Sequence, residues 1–156
     1  MTLLKKLFRG PRGFQRLLNT YAPYVGAGIR VRELSDDYRH LRVEMGLHWY
    51  NTNYVGTHFG GSLYSMVDPF YMLMLINNLG RDYVVWDKAA EIDFIRPGKG
   101  RVSATFTLTD AMLDEVRAAT ANGDKYLPTW PVEIVDTHGE LIARVNKTLY
   151  IRRKPA

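Results

Sequence analysis

The run Phe70-Tyr71-Met72-Leu73-Met74-Leu75-Ile76 constrains this chain more than any other stretch. Consecutive apolar side chains leave no polar face at helical spacing, which predicts a helix buried on all sides. Leu63, Tyr64, Met66 and Val67 extend the apolar character upstream, and Asn77-Asn78 with Gly80 supplies a stop. The spacing predicts one long helix opening at Phe59-Gly60-Gly61. Leu63 to Leu79 is interrupted by Ser65, Asp68, Pro69, Asn77 and Asn78, so it is too short and too polar to span a bilayer. A helix of this kind has to be covered by the rest of the chain.

Most of the remaining chain reads as strands. Ile29 to Leu34 and Leu41 to Leu47 alternate apolar and polar residues around the turn Ser35-Asp36-Asp37. Tyr83 to Arg96 reads as a long strand, closed by the turn Pro97-Gly98-Lys99-Gly100. Val102, Ala104, Phe106 and Leu108 then alternate with polar neighbours. A short helix from Asp110 to Ala121 and two strands, Thr129 to Asp136 and Leu141 to Arg152, complete the chain. Ahead of all these, Leu3 to Tyr21 has helical spacing, and Gly10-Pro11 divides it into two short helices. The expected fold class is α+β: a curved antiparallel sheet wrapped around a long central helix, in one domain over residues 1–156 with an N-terminal helical segment over 1–25.

Composition narrows the chemistry. There is no cysteine, which removes disulfides, thiolate metal sites and cysteine nucleophiles. That fits a reducing cytoplasmic setting. Met1 to Leu7 carries Lys5 and Lys6 without a secretory apolar stretch. Net charge is +5, but no ordered nucleic-acid motif accompanies it. His40, His48, His58 and His138 show no metal-ligand spacing. Ser62 and Ser65 lack a His–Asp framework, and no phosphate-binding or dinucleotide fingerprint is present.

The informative window runs from Asn53 to Asp68. Two glycines at a helix start leave backbone N–H groups bare and let a ligand approach closely. Such groups can hold an oxygen that becomes an oxyanion during acyl transfer. The competing reading is that Gly60 and Gly61 only permit tight packing at the helix entry. Asp68 has two readings as well. A carboxylate inside an apolar helix suggests a general base or nucleophile. Alternatively, Asp68-Pro69 starts a new helix, as N-cap and first helical residue.

The window resembles the signature of hotdog-fold thioesterases of the phenylacetyl-CoA thioesterase type. That pattern has Asn, then His-Gly-Gly six residues on, then Asp nine after the His. Asn53, Gly60, Gly61 and Asp68 fall in register, and Gly56 also fits. Val85-Trp86-Asp87-Lys88-Ala89-Ala90, Arg96-Pro97-Gly98 and Lys147-Thr148-Leu149-Tyr150-Ile151 resemble a poorly characterised bacterial branch of the same superfamily.

The resemblance implies a hotdog fold and an acyl-CoA thioesterase. Gly60 N–H would polarise the thioester carbonyl, Asp68 of the opposite subunit would activate water or attack, and Asn53 would orient the water or carbonyl. Phe59, Gly61 and Tyr64 would line the acyl site. The phosphates of coenzyme A, which enters as part of the substrate, would meet either the hairpin cluster Arg96, Lys99 and Arg101 or the basic tail Arg152, Arg153 and Lys154; no separate cofactor is expected. Dimers or tetramers with active sites between subunits follow, with Tyr83 and Trp86 near the interface. One departure stands out: Phe59 occupies the family's His position and His58 precedes it by one residue. Phe59 cannot hydrogen-bond, and this favours, as the alternative, a noncatalytic acyl-CoA or lipid-binding module.

Overall fold

The computed structural model describes residues 10–155. Helices α1 (Gly10–Thr20) and α2 (Ala22–Ala27) precede the hairpin β1 (Ile29–Leu34) and β2 (His40–Met45). Then come α3 (Gly60–Ser65), α4 (Phe70–Leu79), β3 (Tyr83–Phe94) and β4 (Val102–Thr107). Helix α5 (Asp110–Ala119), the two-residue β5 (Lys125–Tyr126), β6 (Thr129–Asp136) and β7 (Leu141–Arg153) close the chain. The strands form an antiparallel sheet in the order β1-β2-β4-β6-β7-β3, with β5 adding beside β7. The expected α+β architecture, a curved sheet around a central helical segment, is what the chain adopts.

Alternation does the sorting. On β7, Ala143, Val145, Lys147, Leu149 and Ile151 are all buried, and the residues between them are not. On β4, Val102, Ala104 and Phe106 face the same core, where Phe106 meets Phe70 and Tyr71 with ring centroids 5.2 and 5.0 Å apart. Tyr71 donates its hydroxyl to the Pro131 carbonyl, so a buried ring keeps a polar partner.

The structure corrects two expectations. First, the central helix is not continuous. It stops after Ser65 and restarts at Phe70, with turn geometry over residues 66–69. Pro69 lacks an N–H and disfavours helical angles at Asp68, so the ladder breaks there. Asp68 does not cap the new helix either; α4 starts from Pro69 with no side-chain cap. Second, α4 is not buried all round. Phe70, Tyr71, Met74 and Leu75 are inside, but Ile76 is 42% exposed, beside Met72, Tyr83 and Trp86. Helix α1 opens at Gly10-Pro11, where the sequence predicts the second of two short helices. A further break at Tyr21, ahead of Pro23, sets off α2. The part of the predicted first helix before Gly10 lies outside the described residues. β5 was not expected, since two residues carry no period.

Among the described residues, no helix is long and apolar enough to cross a membrane.

Candidate active site

The loop between β2 and α3 is built by Asn53. Its side-chain oxygen accepts the N–H groups of Val55 and Thr57 at 3.1 and 3.0 Å. Its amide donates to Thr57 Oγ1 at 2.8 Å and to the His58 carbonyl at 3.2 Å. An asparagine side chain offers two acceptor sites and two donors, and all four are taken within its own loop.

His58 lies inward. Its backbone N–H reaches Gly98 O at 3.0 Å, and Nε2 lies 2.7 Å from Gly100 O. Burial lowers its pKa, against the hydrogen bond to Gly100, which raises it. His58 thus fastens the helix entry to the 97–100 loop, while Nδ1 is buried without a partner.

Phe59 precedes α3 with extended backbone, and its carbonyl accepts from Ser62 and Leu63. The N–H groups of Gly60 and Gly61 stand outside that first turn. Beside each glycine stands an exposed aromatic ring that would have to swing aside for a side chain. A Cβ at Gly60 would come within 2.9 Å of the Phe94 ring, and one at Gly61 would overlap the ring of Phe59. Phe59 itself is exposed.

A mostly apolar cleft of about 540 Å³ opens here, lined by Asn53, Gly60, Leu63, Phe94, Arg96 and Lys99 among others. Arg96 pairs with Glu140 at its rim. Arg101, which the sequence groups with Arg96 and Lys99, turns instead toward Glu44 at 3.5 Å.

Asp68, Tyr64 and Phe59 do not line that cleft. Asp68 and Tyr64 meet around the helix break. Tyr64, one turn ahead, donates its hydroxyl to Asp68 Oδ1 at 2.7 Å. Lys147 reaches across from β7, with Nζ 2.8 Å from the same oxygen and 3.3 Å from the Tyr64 hydroxyl. On its other side the ammonium lies 3.2 Å from Asp87 Oδ1 on β3. That contact is an attraction between charges, since Oδ1 has no aligned hydrogen bond. The Lys147 side chain is 1% exposed, against 46% for Asp68 and 21% for Asp87.

Electrostatics follow from this layout. Burial disfavours the Lys147 ammonium, but the hydrogen bond to Asp68 and the charges of Asp87 and Asp68 outweigh it, so its pKa lies above the ordinary lysine value. Asp87 is raised, first by burial and also by the Asp68 charge, although Lys147 pulls it down. Tyr64 is raised by burial and by donating to Asp68. Tyr24, whose buried hydroxyl has no partner, is raised by burial and then by the charges of Asp68, Tyr21 and Asp87.

Sequence reasoning singled out Asp68 and Tyr64 but missed the groups between which they sit. The signal for Lys147 was present: it is in phase with Val145 and Leu149 on the buried face of β7. Asp87 is harder to find, because β3 carries a bulge between Asp87 and Ala89. Val85 and Asp87 face inward before it, and Ala90, Ile92 and Phe94 pair with the inward residues of β7 after it.

Solved structures resemble the whole chain. A Pseudomonas aeruginosa protein of unknown function, described as a probable thioesterase, matches with a TM-score of 0.76 at 18% identity, covering 98% of both chains. A Haemophilus influenzae thioesterase matches with a TM-score of 0.67 at 14% identity, covering 91% of this chain and 90% of its own. The E. coli PaaI protein from the phenylacetic acid degradation operon matches with a TM-score of 0.60 at 16% identity, covering 99% and 98%. At such identities the likeness establishes the hotdog fold. Comparison with curated proteins finds no match. Residues 10–151 match the family model described as a domain of unknown function, DUF4442, and the chain belongs to that family.

Proposed function

We propose that the chain hydrolyses a thioester, an acyl-CoA or a related acyl carrier, in a site shared between two copies. The observation that carries this reading is the Asp68 carboxylate: half exposed at the helix break, held from behind by Tyr64 and Lys147. Gly60 lines the cleft and Asp68 of the same chain does not, so the reading brings Asp68 of one copy to Gly60 of another. The β3 edge supports such an arrangement, because Trp86, 63% exposed, and the uncovered flank of α4 leave apolar surface beside it.

In this reading the thioester carbonyl oxygen points at Gly60 N–H. Asp68 takes a proton from water as the water oxygen bonds to the carbonyl carbon. The negative charge passes to the carbonyl oxygen and is met by the backbone donor. Collapse breaks the C–S bond, and the departing thiolate takes up a proton. As nucleophile, Asp68 would instead form an anhydride that water then opens. Asn53 serves by fixing the loop that presents Gly60, since its hydrogen-bonding groups are already used. Arg96 and Lys99 at the cleft rim would attract the nucleotide phosphates.

The test is turnover of a panel of acyl-CoAs by wild type and Asp68→Asn. A loss of about 100-fold or more in kcat is expected for the variant, the scale of a lost general base. Undiminished turnover would overturn the role of Asp68. One observation favours a second reading, an acyl-binding module without catalysis: Phe59 stands where the resembled family has histidine. Recovery of an intact bound acyl ligand, with no turnover by wild type, would support it.

A further inference from the structure

The packing around Lys147 gives no reason for a charge. Its neighbours along the buried face of β7 are Val145 and Leu149, and its cross-strand partners are Ala90 and Trp130. A methionine has similar length and, with Asp87 made apolar as well, would fill this space without the cost of desolvating an ammonium. Buried ion pairs replaced by apolar residues of like size are often neutral or stabilising. What the ammonium does is local: it donates to Asp68 and to the Tyr64 hydroxyl, while Tyr64 donates to that same Asp68 oxygen. The three groups close a triangle. The ammonium also lies 5.1 Å from the centroid of the Tyr64 ring, which limits how the phenol can turn.

Asp68 needs this support because its backbone sits in a turn between two helices, where no helical ladder fixes it. Lys147 is anchored differently. It belongs to the 13-residue β7, which pairs with β6 on one side and β3 on the other. A side chain mounted on that rigid strand holds a carboxylate mounted on a break. Asp87 then balances the ammonium from the β3 side, at 3.2 Å.

We propose that Lys147 is a positioning residue for the thioester hydrolysis. Through Asp68 it fixes the direction of the reacting carboxylate, and Asp87 is the counter-charge that lets it stay buried. This rests on the hydrolase reading above. The raised pKa of Lys147 agrees with an ammonium retained under working conditions.

The experiment is a double-mutant cycle in kcat and KM, on an acyl-CoA that wild type turns over. Lys147→Met is expected to lower kcat by about tenfold or more while KM moves by less than about threefold, the pattern of an interaction needed in the transition state. In an Asp68→Asn background, the same Lys147→Met change should alter kcat by less than about twofold, because residues acting as one unit are not additive. A purely structural role predicts losses that multiply, and that result overturns the proposal. Lys147→Met leaves Asp87 buried without its counter-charge, so a second variant, Lys147→Met with Asp87→Leu, removes both charges and protects the fold. Wild-type kcat in that folded double variant, with Asp68→Asn still inactive, overturns the role of Lys147 and leaves the hydrolase reading standing. Wild-type kcat in Asp68→Asn overturns both.

Discussion

At the β1 edge of the sheet, α1 lies alongside and its polar side chains take the place of a further strand. Asn19 accepts the Val31 N–H at 2.7 Å and donates to the Val31 carbonyl at 3.0 Å. Gln15 donates to the carbonyls of Val31 and Arg32 at 3.0 and 2.9 Å. At the β3 edge nothing comparable stands guard among the described residues. β3 is twelve residues long, pairs only with β7, and shows Trp86, Phe94 and the neighbouring Ile95 exposed. A bare edge of this length invites strand addition, whereas side-chain mimicry closes an edge within one chain. The proposed carboxylate site lies along the open edge, through Asp87 and Lys147. Helix α1 thus closes the edge away from the site, and the edge beside the site stays open, where the proposed partner copy would pair.

Three experiments would break or sharpen that contrast. The largest effect is expected at the open edge. Trp86→Glu should weaken self-association by at least about 30-fold, the scale of about 2 kcal/mol for an interface tryptophan. Sedimentation equilibrium over a dilution series measures it, and an unchanged mass distribution would place association elsewhere. At the closed edge, Asn19→Ala removes a donor and an acceptor and should cost about 1–2 kcal/mol in chemical denaturation. It should leave the association state alone; dissociation on that change would mean that both edges serve the assembly.

The smallest effect is the pH dependence. The pKa of Lys147 is higher folded than its ordinary value of 10.5. Its contribution is therefore complete below that value and is lost as pH rises through the raised folded value. The raised tyrosines act in the same direction. The denaturation midpoint should fall on alkaline titration, and less steeply in Asp68→Asn, where one partner charge is gone. Identical slopes would show that the pair does not bind its proton more tightly when folded.

Much of the fold was legible from period alone. The hairpin, the strands β3, β4, β6 and β7, and the α5 helix follow from alternation, helical spacing and turn residues, which act over a few positions. The residues at the candidate site were legible in part. Gly60 and Asp68 stood out because glycine pairs and lone carboxylates break a local pattern. The state of Asp68 was not legible, since Asp-Pro fits both an interrupted helix and a capped one. Nor was the commitment of Asn53 to its own loop, which depends on where Thr57 and His58 fold back. Lys147 breaks an apolar series as plainly as Asp68 does, but its meaning depends on two elements distant in the chain. The contact of α1 with the β1 edge is likewise a tertiary choice, made by Asn19 and Gln15.

The bulge in β3 has a consequence for how this strand can change over time. The residues on its two sides already face correctly with Lys88 standing outside the ladder. Losing Lys88 would leave Val85 and Asp87, and Ala90, Ile92 and Phe94, on their present faces. Losing Trp86 or Glu91 instead would re-sort part of the strand, inside for outside. Chain length can thus drift by one residue at this point while the sorting of the strand is inherited intact.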